Sequence, residues 1–93
     1  MIKSFVDRRT AAVFQGHVPK GLPPTIAQRA QTKLAVLDAA ASLEELRVPP
    51  GNRLEALKGA RRGQHSIRIN EQWRICFVWR GGNAHDVEIV DYH

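Results

Sequence analysis

The sequence predicts an α+β domain, an antiparallel β-sheet with N-terminal helices packed on one of its faces. Three features predict it. Apolar residues at helical spacing, Ile26, Ala30, Leu34, Leu37 and Ala41, are confined to the first half of the chain. After Arg53 the period shortens to two, with His65, Ile67 and Ile69, then Trp73, Ile75, Phe77 and Trp79, each alternating with other residues. The segments between these runs, Asn70-Glu71-Gln72 and Gly81-Gly82-Asn83, are short enough to close hairpins. With 93 residues, residues 1–93 form a single domain, because neither half alone would bury enough core to offset its ordering entropy.

In order, Ile2, Ser4 and Val6 alternate with Lys3 and Phe5 and predict a short first strand. Asp7 is placed to cap a brief helix carrying Ala11, Ala12 and Phe14, which Gly16 ends. Pro19, Gly21, Pro23 and Pro24 make residues 17–24 a loop. Thr25 and Gln28 have capping-box spacing and predict the start of the long helix. Ser42 and Glu45 repeat that spacing and predict a short helical piece ending near Leu46. Residues 47–52, with Pro49, Pro50 and Gly51, form a loop. Leu54 to Leu57 is a brief strand, Lys58-Gly59 leads into a basic turn over 60–63, and the last strand runs from about Asp86 to the end. The Trp73–Trp79 stripe should face the helices, leaving Arg68 and Arg74 on the opposite face beside Ser66, Cys76 and Val78.

The net charge of +5 and a pI near 10.2 suit a polyanionic partner: nucleic acid, an anionic surface or an acidic protein. Arginine dominates from Arg47 onward, at Arg53, Arg61, Arg62, Arg68, Arg74 and Arg80. Its planar fork fits phosphate bidentately, although arginines on exposed strands equally keep a small domain soluble. No apolar run is long enough to span a bilayer, and the first residues lack the apolar stretch of a signal peptide, so no membrane partner is expected. The single Cys76 cannot form an internal disulfide, which suits a reducing cytoplasm; between Ile75 and Phe77 it reads as an inert buried thiol.

Several chemistries drop out. His17, His65, His85 and His93 fall at no zinc-ligand spacing, so no metal site is expected. No glycine loop for phosphates precedes a helix, and no serine sits in a nucleophile elbow, so no nucleotide cofactor or acyl-transfer chemistry is implied. The remaining groups suit a phosphodiester. Cleaving RNA without metal requires a group to take the 2′-OH proton, a group to protonate the departing 5′ oxygen, and cations for the charge gathering on phosphorus. His93 and Tyr92 can move protons, Lys58 and Arg74 can stabilise charge, and Asp91 can orient a neighbour. Each has an ordinary reading too: Tyr92 as a core residue with a wet hydroxyl, Asp91 paired with an arginine, Lys58 as a solvated turn residue, His93 exposed and idle. Strand parity puts Asp91 and His93 with Val87 and Ile89, and Tyr92 on the other side.

The strings Leu54-Glu55-Ala56-Leu57-Lys58-Gly59, Gly63 through Asn70, Gln72 through Phe77 and Asp91-Tyr92-His93 resemble the HigB toxins, a branch of the RelE/ParE superfamily of bacterial toxin–antitoxin modules. The opening Met1-Ile2-Lys3-Ser4-Phe5 and the loop Pro49 through Leu54 look like the same family, so the resemblance covers nearly the whole chain. It implies a RelE-like fold, metal-independent and ribosome-dependent cleavage of messenger RNA in the decoding site, and a HigA-like helix-turn-helix antitoxin. Operator DNA would be met only through that antitoxin. Carried over by position, the catalytic group is Lys58, Arg74, Asp91, Tyr92 and His93, with Arg53, Arg61, Arg62 and Arg68 as RNA-binding cations. One departure is Glu55, where messenger-cleaving members can carry a histidine nearby; a carboxylate there can act as a base but repels phosphate. The alternative within the superfamily is a non-catalytic, ParE-like toxin that poisons gyrase, or the ribosome, by binding.

Overall fold

The structure, a computed structural model, describes residues 1–48 and 50–92, so Pro49 and His93 lie outside the described residues. Helices α1 (Arg8–Phe14) and α2 (Pro24–Ala39) precede strands β1 (Glu55–Ala56), β2 (His65–Arg68), β3 (Trp73–Arg80) and β4 (Asn83–Asp91). The strands form one antiparallel sheet in the order β1-β2-β3-β4, and both helices pack on the same face. The α+β reading therefore holds.

Asp7 caps α1 as expected, its Oδ1 accepting the Thr10 N–H at 2.8 Å. The start of α2 differs from expectation. Its N-cap is Pro23, with no side-chain bond, and Pro24 occupies the first turn. Proline suits that position because it lacks an N–H that would be unpaired there, so the helix begins before Thr25 can cap it. The inward face of α2 is Ile26, Ala27, Ala30, Leu34 and Leu37, while Ala41 falls beyond the helix and is exposed. At Ser42 the expected capping does form: Glu45 Oε2 accepts the Ser42 and Ala41 N–H groups at 2.7 and 2.6 Å, opening a 3-10 turn over Leu43–Arg47.

Residues 1–6 do not make a regular strand. They run parallel to β4 and pair with it at only two points, Ile2 with Ala84 and Phe5 with Val87. The interruption coincides with a bulge in β4. Cys76 pairs with Glu88 and Val78 with His85, so Asp86 and Val87 together oppose Phe77. Asp86 adopts φ 51, and its N–H donates to Ser4 Oγ at 2.8 Å. The extra residue lets Ala84, Val87 and Ile89 all face the helices, each essentially inaccessible to solvent. Beyond the bulge the alternate residues Glu88 and Val90 turn to the opposite face, and Tyr92 follows their parity.

The β3–β4 connection is the two-residue turn Gly81-Gly82, with φ 61 and 78, the mirror-image geometry that right-twisted hairpins favour and that glycine adopts without strain. Strand β4 accordingly starts at Asn83, earlier than the sequence suggested. Strand β1 is only two residues, both exposed, so the alternation expected over 54–57 is absent; Leu57 is buried past its end. A short edge strand of this kind limits edge-to-edge pairing, and on the other side α1 and residues 1–6 cover β4. Thr10 Oγ1 accepts the Ile89 N–H at 3.1 Å, and Arg9 Nη2 donates to the Ile89 carbonyl at 3.0 Å. These bonds hold the end of β4 against α1. Among the described residues no helix is long and apolar enough to cross a membrane.

Candidate active site

Trp73, Ile75 and Phe77 enter the helix-side core as the period-two pattern requires, with Trp79 packed at its margin. The other face is also largely closed. Ser66 and Cys76 are fully buried and Arg74 is 8% exposed. Burial pushes the Cys76 thiol up, against the opposing pull of the Arg61 and Arg74 guanidinium groups, which fits an inert thiol.

A guanidinium this buried requires partners on every accessible N–H. Arg74 Nε donates to Ser66 Oγ at 2.7 Å, and Nη2 donates to the carbonyls of Arg53 at 2.6 Å and Ser66 at 3.3 Å. The remaining nitrogen, Nη1, lies 3.9 Å from Glu55 Oε1 in an ion pair whose carboxylate side is half exposed. Strand pairing explains the grouping: Arg68 opposes Arg74, Arg74 opposes Val90, and Glu55 opposes Ser66. Next to this cation opens a cleft of about 290 Å³ lined by Arg53, Glu55, Arg68, Asn70, Glu71, Arg74 and Tyr92.

Two local devices shape the cleft. Asn70 Oδ1 accepts the N–H groups of Gln72 and Trp73 at 2.9 and 2.7 Å, tying the β2–β3 turn that carries Glu71. The Tyr92 N–H donates to the Gln72 carbonyl at 2.6 Å, extending the ladder by one pair and setting the tyrosine beside that turn. Arg53 adopts φ 45, which turns its carbonyl onto Arg74. For an L-residue that conformation costs about 1–2 kcal/mol. Arg53→Gly is therefore expected to leave thermal stability nearly unchanged, since relief of strain offsets the extra entropy glycine adds to the unfolded chain, about 1 kcal/mol. The β-branched Arg53→Val should be less stable by more than about 1 kcal/mol on the same grounds. Thermal denaturation of the pair checks this.

The expected residues divide. Arg53, Arg68, Arg74 and Tyr92 come together in the cleft. Lys58 does not line it; the residue is exposed and leads into the 3-10 turn Gly59–Arg61. Asp91 pairs with Trp73 and accepts from Gln72 Nε2 at 3.2 Å, on the helix-side parity of Ile89. Arg61 is committed elsewhere: its Nη1 lies 3.2 Å from Glu88 Oε1 and 3.1 Å from Gln64 Oε1, so it pins the basic turn to the sheet instead of facing the cleft. Arg62 is exposed in that turn, and the proposed proton group His93 lies outside the described residues. Asn70 and Glu71 were not singled out from the sequence, because they read there only as a hairpin connection.

The arrangement sets a fixed, largely desolvated guanidinium among further arginines at the rim, the carboxylates of Glu55 and Glu71, and Tyr92, a set with the cations to meet an anion. A match to the HigB-like toxin model, described as the RelE-like toxin of the type II toxin–antitoxin system HigB, spans residues 3–93. The chain is 46% identical over 63 residues to Toxin HigB-1 of Vibrio cholerae, an alignment covering 68% of this chain and 66% of that protein, just under two thirds of its length. It is 35% identical to Endoribonuclease HigB of Proteus vulgaris over 97 residues, with both chains covered completely. In three dimensions it resembles a chain of the heterotetrameric YoeB–YefM toxin–antitoxin complex of Staphylococcus aureus, with TM-score 0.62 and 14% identity over 100% of this chain and 98% of that one, a likeness of fold. The chain belongs to the HigB-like family, the RelE-like toxins of type II toxin–antitoxin systems.

Proposed function

We propose that this toxin is an endoribonuclease that cleaves messenger RNA in the decoding site of the ribosome, without a metal, and so arrests translation and growth. The observation that carries the reading is Arg74, a buried guanidinium held by Ser66 and Arg53 at the wall of a cleft that also contains Tyr92. Such a cation is already fixed in place before a phosphate arrives, with only the Glu55 carboxylate beside Nη1 to be displaced, and preorganised charge of this kind stabilises a transition state. The name of the Proteus vulgaris relative, an endoribonuclease, supports the same activity.

In the proposed reaction the 2′ oxygen attacks the adjacent phosphorus, its proton passes to a base, and the 5′ oxygen leaves as it receives a proton. The products are a 2′,3′-cyclic phosphate and a 5′-hydroxyl. Arg74 stabilises the phosphorane, and the exposed Lys58 supplies a second, movable cation. His93, with Tyr92 or Asp91, handles the protons. Glu55 Oε1 stands close to Arg74 Nη1 and competes with phosphate for it until substrate displaces it.

The antitoxin is proposed to be a HigA-like helix-turn-helix protein that presents acidic groups to the basic toxin, with operator DNA contacted through the antitoxin alone. The toxin–antitoxin complexes among its structural relatives support such a partner. The proposed compartment is the cytoplasm, where ribosomes and operators are. Primer extension on cellular messages after brief toxin expression tests the function. Discrete cuts within reading frames are expected. DNA damage without cuts would instead identify a gyrase-binding toxin, and arrest without either would identify a non-cleaving ribosome binder.

A further inference from the structure

The Arg74 cleft has a neighbour. A second hollow of about 600 Å³ is lined by Arg29, Lys33, Gly51, Arg68, Ile69, Asn70 and Glu71. Arg68, Asn70 and Glu71 border both hollows, which therefore adjoin, one reaching Tyr92 and the other the flank of α2; together they are termed the groove. Arg29 and Lys33 stand one helical turn apart on α2 and project to the same side.

Among the described residues the ion pairs are Arg47–Glu44, Arg61–Glu88 and Arg74–Glu55, so Arg29, Lys33 and Arg68 have no carboxylate of their own there. Lys33 Nζ donates to Asn52 Oδ1, and buried Asn52 is itself anchored by donating to the Leu46 carbonyl at 3.2 Å. The ammonium is thus held in place by a neutral acceptor. Burial, and then repulsion from Arg29, push the Lys33 pKa down. An anion seated between the two would remove the repulsion and return solvation to the charge. Glu71 is exposed at the shared rim, and Arg29, Lys33 and Arg68 outnumber it along this half of the groove.

We propose that Arg29, Lys33 and Arg68 form a second phosphate subsite, which holds the backbone of single-stranded RNA at a nucleotide neighbouring the one whose phosphate meets Arg74. The proposal rests on the reading of the Arg74 cleft as the RNA cleavage site and adds to it the direction in which the strand leaves. The strand passes over the β2–β3 turn toward α2, and Arg68 bridges the two phosphates. Interactions of this kind set register on the strand without reading its sequence.

The test is equilibrium binding of purified toxin to two uncleavable 2′-O-methyl RNAs, a dinucleotide that fits one cleft and an oligonucleotide long enough to span the groove, over a range of salt concentrations. The variants are Arg29→Gln, whose side chain is exposed, and Arg29→Gln/Lys33→Gln. The double variant is expected to bind the long RNA more weakly, with a log–log salt slope shallower by about 0.7, the value for the one phosphate that is no longer neutralised on a single strand. Dinucleotide binding should remain at the parent level, with Arg29→Gln intermediate for the long RNA. An unchanged slope on the long RNA overturns the subsite. Equal weakening on both RNAs also overturns it, since the α2 cations would then act only through overall charge. If the parent toxin binds neither RNA, the subsite is overturned, while the reading of the Arg74 cleft is judged separately by whether Arg74→Ala loses cleavage of messages on ribosomes.

Discussion

Replacing Arg74 with alanine is expected to lower RNA cleavage by about 10²–10³-fold, the usual cost of removing one preorganised charge stabiliser, and to destabilise the fold as well. The two effects have one cause. The guanidinium satisfies Ser66 Oγ and the carbonyls of Ser66 and Arg53, all at or beside a buried position. Truncation leaves these acceptors unpaired at about 1–3 kcal/mol for each group that water cannot reach. It also removes the bond that accompanies the left-handed backbone at Arg53. Arg74→Lys separates the two roles. A lysine restores the charge but not the fork, so it cannot donate from both Nε and Nη positions. Melting temperature and cleavage rate are measured for both variants. If Arg74→Lys regains stability without rate, the planar fork is what the phosphate uses. If cleavage by folded Arg74→Ala matches the parent, the guanidinium is structural and the cleft is not the reaction site.

Arg74 also shows what can be read from the sequence. The period-two alternation through Trp73–Trp79 put the tryptophan stripe toward the helices and Arg74 opposite, and the register confirms it. Glycines at 81 and 82 marked a turn whose positive φ values only they adopt comfortably. The bulge at Asp86 was not legible, because aspartate at φ 51 leaves no compositional mark; the segment still reads as an alternating strand. The same bulge explains why residues 1–6 pair in two pieces. The cleft was legible only through its strand residues. Nothing local to Arg53 announces that its carbonyl, as well as its side chain, will serve the site. Arg29 and Lys33 were not singled out from the sequence, because isolated cations on a helix ordinarily mean solvation; only the packed position of residues 51–52 beside α2 turns them into a wall. The ion pair of Arg61 was hidden for the converse reason, since its partner Glu88 is distant in sequence and reaches it only after β4 folds back.

Replacing His93 with alanine is expected to lower cleavage by about 10²–10⁴-fold, the range a general acid or base contributes. Stability should be nearly unchanged, as the residue follows the last strand in sequence. Tyr92 lines the Arg74 cleft, and its N–H is fixed to the Gln72 carbonyl. His93 is the next residue in sequence after Tyr92. An imidazole can both accept and donate a proton, so it can serve as either partner in the reaction. Two companion measurements distinguish a proton-transfer role from a structural one. The parent's pH–rate profile should show a limb in the neutral range that His93→Ala lacks, while binding of an uncleavable RNA stays at the parent level. Tyr92→Phe keeps the ring in the cleft wall and removes only the hydroxyl. If it loses rate while His93→Ala does not, Tyr92 carries the proton and the histidine is dispensable. If both keep the parent rate, the cleft carboxylate beside Arg74, Glu55, is the group to replace next, since it alone among the described cleft residues combines a carboxylate with an ion pair to Arg74. Glu55→Gln would then be expected to tighten RNA binding by removing a negative charge while lowering the rate, a combination that neither a purely repulsive carboxylate nor a spectator would produce.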